Sequence, residues 1–391
     1  MPDTDERDLT LVFLIDALGQ EIVEGSGFCE RLISAEPIRV ASILGFSSGA
    51  IPTILTGRLP NEHGHWSMYR RDRGRGVFRR YRWILRFAAS LPRGDWRFRR
   101  WLTDRLRADG VTGYFSLYEV PLGLLSQFDL CERRNIYRPG AFEGDVESLF
   151  DRLEREEVPY RVWDWSVPDD RALREMEEAA RDGRERLLFF YSSVLDATMH
   201  LQGPRSDATR IRLREYEEAI ERVAAAARAG GRNPRIRIFG DHGMAPVRSH
   251  FDLLGSLSGI DARVPDDYLV FVDSTMGRFW FRSDAARRTI LDRLSERTDG
   301  RFLDPGEMER LGVAFGDREY GEEVFLADPG VLFVPSFMGS RPIAGMHGYH
   351  PEDPDSDTAL LADPAPSRPV RTIRDLRGLL LHDLGIDAEG R

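Results

Sequence analysis

The chain has 391 residues, 41% of them hydrophobic and 31% charged, and a formal net charge of −10. This is enough for one large α/β domain with insertions or for two domains, and it excludes a fibrous or disordered chain. Two cysteines, Cys29 and Cys131, exclude a disulfide scaffold. No run approaches the roughly 18 to 20 apolar residues of a membrane span, and the acidic residues 1–8 are no secretory leader, so a cytoplasmic location is expected.

The first apolar run, Leu11-Val12-Phe13-Leu14-Ile15, reads as a buried strand ending on Asp16. A second strand is expected over 41–46. It delivers Ser47 and Ser48 onto a helix start that runs toward Thr56-Gly57. A helix N-terminus offers unpaired N–H groups and positive potential, which favour an alkoxide and an incoming phosphate or sulfate oxygen. A lone Ser-Ser pair there is ordinarily a cap. The residues further along change its meaning.

Residues 66–142 are unusual in charge. Between Arg70 and Arg107 fourteen arginines face Asp72, Asp95 and Asp104, a local charge of +11 in an acidic chain. Every basic residue is Arg, which the codon bias of a GC-rich genome explains. Aromatics interleave with them: Phe78, Tyr81, Trp83, Phe87, Trp96, Phe98 and Trp101. Such a segment suits an anionic phosphate ligand, an anionic membrane surface or an acidic partner. Its plainer reading is a cap whose aromatics pack inward while the arginines are solvated or paired. No specific nucleic-acid binding is expected.

From Asp145 the helix and strand periods alternate. Val146, Leu149, Phe150 and Leu153 mark a helical face, 160–163 a strand, and 172–182 a second helix. Leu187-Leu188-Phe189-Phe190-Tyr191 is another buried strand, followed by Asp196 and His200. Ser206 caps a long helix that ends at Gly230-Gly231. Arg235-Ile236-Arg237-Ile238-Phe239 then runs into Gly240-Asp241-His242-Gly243. Segment 246–329 interrupts the alternation with two antiparallel strands, 268–272 and 277–281, and a helix over 283–297. Strand 330–334 precedes Gly345-Met346-His347-Gly348-Tyr349-His350; 351–369, rich in Pro and Asp, reads as a surface loop, and 372–384 as a closing helix. This order predicts an α/β fold, a parallel sheet with helices on both faces.

Acids and histidines at the ends of four strands are a constellation no single position carries. Asp and neutral His are ligands for Zn²⁺ and related ions, and dinuclear sites use them to clamp a transferring phosphoryl group. With these residues the chain resembles the alkaline phosphatase superfamily, and most closely its nucleotide pyrophosphatase/phosphodiesterase branch. Counting back from Gly57 places the family nucleophile at Ser47, with Ser48 the alternative. Asp196-Ala197-Thr198-Met199-His200 is similar to the branch's Asp-x-x-Gly-His, with Met199 in place of Gly. Asp241 to Met244 match Asp-His-Gly-Met in full, and His347-Gly348-Tyr349 resembles the late His-Gly-aromatic loop.

The resemblance implies an alkaline-phosphatase-like sheet sandwiched by helices, with two inserted caps. The expected organisation is one discontinuous domain over 8–391, with core segments 8–65, 143–245 and 330–391 and insertions 66–142 and 246–329. It also implies two divalent ions, zinc or alternatively manganese, one held by Asp16, Ser47, Asp241 and His242 and the other by Asp196, His200 and His347. Phosphate-ester hydrolysis would then pass through phosphorylated Ser47. The Asn that the family places after its His-Gly to hold a phosphate oxygen is not recognisable beyond His63-Gly64, which leaves His65, Ser67 and Arg70 as expected substrate donors. Ser47–Ile51 lacks the Arg of a sulfatase, and the ligand set of the phosphoglycerate mutase branch cannot be assigned. Two rivals keep the site: a phosphotransferase that passes the group to a sugar or lipid hydroxyl, and a metal-stabilised binding protein without turnover.

Overall fold

The computed structural model describes residues 8–89 and 96–386. Its central strand, β1 (Asp8–Ile15), is buried on both faces: Leu9, Leu11, Phe13 and Ile15 enter one core, and Val12 and Leu14 enter another. Successive strand residues point to opposite sides, so a continuous apolar run demands cover on both. With it lie β2 (Ile38–Val40), β3 (Tyr160–Trp163), β4 (Leu187–Ser192), β5 (Asn233–Phe239) and β6 (Thr358–Asp363), in the spatial order β2-β6-β5-β1-β4-β3. Strands β5, β1, β4 and β3 are parallel, while β6 runs against both β5 and β2.

The flanking helices are α1 (Ser47–Thr56), α2 (Leu149–Arg155), α3 (Asp169–Asp182), α4 (Val194–Gln202), α5 (Asp207–Ala229) and α6 (Asp375–Asp383). The first core takes α3, α4 and α5; the second takes α1, α2 and α6. Caps fall where polar residues allow them: Ser148 accepts from the Asp151 N–H, and Ser206 from that of Thr209. This mixed α/β architecture, a mostly parallel sheet between helical layers, is the predicted fold class.

Three local expectations are corrected. The strand before Ser47 spans Ile38–Val40 rather than 41–46: Ala41 bridges Thr372 and the chain then leaves the sheet, with Gly45 at a φ of 136° against Trp66. The stretch 351–369 is not a loop throughout, since its Thr358-Ala359-Leu360-Leu361-Ala362 core forms β6. Leu360 packs on one side of the sheet and Ala359 and Leu361 on the other. The apolar segment near 330 forms a strand, Val331–Phe333, but it pairs in parallel with Ser249–Phe251 outside the central sheet.

A second sheet, antiparallel and four-stranded, orders Tyr268–Val272, Met276–Phe281, Glu323–Ala327 and Gly300–Phe302. Leu269, Phe271 and Trp280 on one face pack against the arginine-rich insertion. The two are locked by Arg278, which is fully buried and donates to Asp273 Oδ2 at 2.8 Å, Ser67 Oγ at 3.0 Å and the Tyr69 carbonyl at 2.8 Å. Arg278→Met would strand the Asp273 carboxylate without its cation, so a loss of about 3–5 kcal/mol is expected in urea denaturation. A loss below about 1 kcal/mol would show that water replaces the guanidinium.

Buried Glu132 accepts the Tyr114 N–H at 2.7 Å, and burial pushes its carboxyl up to about 8. A raised acid contributes stability that is present below its ordinary value near 4.5 and is lost as pH rises toward 8. Glu132→Gln keeps the acceptor and removes the titration. It should stabilise the protein on the order of 3 kcal/mol at pH 7 and hardly at all at pH 4, read from denaturation across that range. A gain that does not depend on pH would assign the effect to packing.

Candidate metal centre

Parallel strands present their carboxyl ends at one edge of a sheet. Here β5, β1 and β4 are neighbours, so Asp241 and His242, Asp16, and the α4 residues Asp196 and His200 are delivered to one place. Directly after Asp16 the chain turns sharply: Ala17 has a φ of 61°, uncommon for a non-glycine residue, and its N–H donates to Asp241 Oδ1 at 3.1 Å. Asp196 and His200 stand four residues apart on α4, one turn of helix, which puts both on the same face. Gly243 packs so closely on the Asp355 carbonyl that a Cβ would lie 2.2 Å from it, and Gly348 combines a φ of 86° with contact on Phe46. Each holds the adjacent histidine where a larger residue would not fit.

Two clusters result. Asp16, Asp241 and His242 offer ligand atoms all within 4.8 Å of one another, and Asp196, His200 and His347 do the same. The rings of His242 and His347 stack at 3.7 Å, so the clusters are adjacent. Ser47 is the first residue of α1 and stands against the first cluster, with Oγ 3.3 Å from Asp16 Oδ1 and 3.0 Å from His242 Nε2. Ser48 Oγ points elsewhere and donates to the Trp66 carbonyl at 3.3 Å.

The donor set suits cations. His200 Nδ1 lies 2.8 Å from the Gly345 carbonyl and His242 Nδ1 lies 3.0 Å from that of Gly243. Those bonds put the proton on Nδ1 and leave Nε2 as a lone pair facing carboxylates. His200 Nε2 is then 3.2 Å from Asp196 Oδ1, acceptor against acceptor. Among the described residues the buried oxygens Asp196 Oδ1 and Asp241 Oδ2 have no hydrogen-bond partner, the environment a bound cation satisfies. Burial raises the Asp16 carboxyl well above its ordinary range, and the charges of Asp241 and Asp196 add to this. For Asp196 burial acts upward, but His200 and His347 outweigh it and hold the carboxyl low. Asp196 in turn outweighs the burial of His200 and raises it. His347 is pushed well down by burial and by His242.

The six Asp and His expected as metal ligands are thus in two adjoining clusters, with Ser47 beside the first. The expected substrate donors are not. His65 is buried against Phe142 and its imidazole is pushed down to about 3 by burial and then by Arg70. Ser67 belongs to the Arg278–Asp273 lock. Arg70 pairs with Asp129, Glu143 and Glu319. Met199, which replaces the family's Gly, fills the first core, and its carbonyl lies against Gly345. One residue escaped the sequence reading: the Tyr191 hydroxyl donates to Asp16 Oδ2 at 2.7 Å and fixes that carboxylate. In sequence Tyr191 is one more aromatic of a buried strand, with no sign of a partner 175 positions away.

A parallel sheet with Asp and His at its carboxyl edge, and a serine at a helix start beside them, defines a phosphate-ester hydrolase of the alkaline phosphatase superfamily. Within it, the chain belongs to the type I phosphodiesterase/nucleotide pyrophosphatase family, whose sequence model matches residues 47–350, more than half of its length. That family is metal-dependent. The fold is similar to that of human ectonucleotide pyrophosphatase/phosphodiesterase 5, with a TM-score of 0.70 and 14% identity over 98% of this chain and 96% of that one. It is also similar to the murine protein of the same name, at 0.69 and 15% over 98% and 97%. An inactive variant of that murine protein in complex with AMP gives 0.69 and 16% over 98% and 96%. A search of curated proteins finds no match.

Proposed function

We propose that the chain cleaves phosphodiester or pyrophosphate bonds through a covalent phosphoryl adduct on Ser47, assisted by two divalent ions. The observation that carries this reading is the placing of Ser47 Oγ at a helix start against one ligand cluster, with the second cluster stacked on the first. Asp16, Ser47, Asp241 and His242 would hold one ion, and Asp196, His200 and His347 the other. Zinc suits the mixed Asp and His donors, and manganese is the alternative. Such ions supply Lewis acidity that favours the Ser47 alkoxide and neutralises the leaving oxygen.

The protein's own groups do the rest. The open N–H groups of the first turn of α1 face the substrate's phosphoryl oxygens. Tyr191 and the Ala17 N–H hold Asp16 and Asp241 in place, so little rearrangement is needed during reaction. Ser47 Oγ bonds to phosphorus as the bond to the leaving oxygen breaks, and that oxygen departs with the electron pair. Water then attacks the adduct from the opposite side, the Oγ–P bond breaks, and Ser47 regains a proton. The AMP complex of the murine relative favours a nucleotide-bearing substrate.

The test is turnover of bis(4-nitrophenyl) phosphate and of a dinucleoside pyrophosphate with zinc or manganese present, followed by product analysis with and without added glycerol. Release of nitrophenol and a monoester, unaffected by glycerol, is the expected result. Transfer to glycerol would make the chain a phosphotransferase, and no turnover of either compound would leave it a binding protein.

A further inference from the structure

Helices Arg82–Ala88 and Trp96–Ala108 of the arginine-rich insertion turn Leu85, Ala88, Leu102 and Leu106 into a core shared with Phe271 and Trp280 of the second sheet. A surface helix normally makes its opposite face polar. Here it is not. Trp83 is 68% exposed, Ile84 44%, Phe87 80% and Trp96 67%. These are four of the seven large hydrophobic residues exposed among the described residues, so the exposure is concentrated and not scattered. Positions 83, 84 and 87 lie one and four apart on one helix, which makes them a single stripe.

Arg80, Arg82 and Arg86 flank that stripe in sequence, and Arg97 and Arg100 lie on the second helix beside Trp96. All five are exposed. Among the described residues only Arg80 forms an ion pair, with Asp109, and the Arg82 guanidinium lies over the Trp83 ring at 5.3 Å. A chain of net charge −10 thus concentrates positive charge around its largest exposed aromatics.

We propose that this face docks on an anionic phospholipid bilayer. Tryptophan and phenylalanine partition to the level of the lipid headgroups, and guanidinium forks pair with lipid phosphates there. Each arginine near an anionic surface strengthens binding by about fivefold. The acidic remainder of the chain orients the molecule, because the bilayer repels it. A second copy of the chain is a poorer occupant: a two-fold interface here would bring the same arginines toward one another. A purely acidic protein partner would leave the exposed tryptophans without a role. The proposal does not depend on the reaction at Ser47.

The experiment is co-sedimentation of the full chain with vesicles of mixed phosphatidylglycerol and phosphatidylcholine, and with vesicles of phosphatidylcholine alone. Binding to the first is expected, with about tenfold or more weaker binding to the second. Trp83→Ala with Phe87→Ala should weaken it by about tenfold or more, since affinity follows buried apolar area. Arg82→Gln with Arg86→Gln should weaken it by about 25-fold and lower its salt dependence. Both pairs lie on an exposed face, so unchanged thermal unfolding and unchanged turnover of a small ester serve as controls. Absence of vesicle binding overturns the proposal. So does binding that survives the Trp83 and Phe87 changes, or a dimer in sedimentation velocity that those changes dissociate.

Discussion

Ser47→Ala should lower kcat/KM for a bis-aryl phosphate by roughly four orders of magnitude or more, with the fold intact. The neighbouring serine is poorly placed to take over from it. Ser48 is adjacent in sequence but sits about 100° further round the helix, and its Oγ is engaged by the Trp66 carbonyl. Ser48→Ala should therefore cost less than about tenfold. Little stability should be lost with the Ser47 hydroxyl, because its contacts are to the ligand groups Asp16 and His242 and not to the core. Steady-state release of nitrophenol measures both variants, and mass analysis of acid-quenched wild-type enzyme should find the adduct on Ser47. Equal losses in the two serine variants would place the nucleophile elsewhere.

Removing the ions should have a comparable effect on activity and a larger one on stability. Stripping with a chelator is expected to reduce turnover by about a thousandfold or more, with recovery on adding zinc or manganese. Asp241→Asn should act in the same direction, since it removes one of the two orphaned buried oxygens that face the clusters. The pH dependence has a definite sign. In the ion-free protein the raised Asp16 carboxyl contributes stability below its ordinary range near 4, and this is lost as pH rises. His200 is raised as well, so as pH falls it takes a second proton on the nitrogen an ion would use. Bound ions would displace both protons, so the gap in Tm between loaded and stripped protein should widen from pH 5 to pH 8. A gap that stays constant across that range would mean that the bound ions do not replace protons at these groups.

The arginine-rich insertion is not uniform in its pairing. Arg70, nearest in sequence to the expected phosphate donors, is held by three carboxylates. Around Trp83, by contrast, Arg82 and Arg86 are exposed and form no ion pair among the described residues. Among the described residues no helix is long and apolar enough to cross a membrane. A lipid contact would therefore lie on the surface of the molecule.

The sequence by itself determined the three central strands and the residue types at their ends. Strands β1 and β4 carry unbroken apolar runs because both their faces are covered, and β5 alternates Arg with Ile before Phe239, a pattern written residue by residue. Their ends carry Asp16, Asp196 with His200, and Asp241 with His242, so the ligand types and their order along the chain were also legible. Only the tertiary structure decided which strands are neighbours, and hence that these ends meet at one edge. It also decided that β6 occupies the interior of the sheet although its flanks are rich in Pro and Asp, as the turn residues outweigh a short apolar run in any local reading. Ser67 and Tyr191 show the same limit. A side chain's polarity is local information, but its partner is set by packing: Asp273 for Ser67 lies 206 positions away and Asp16 for Tyr191 lies 175 away. In the insertion, the alternation of Arg with aromatic residues left open which rings turn inward. Tertiary packing settled it: Leu85 and Leu102 share a core with Phe271 and Trp280 of the second sheet, while Trp83 and Trp96 face outward.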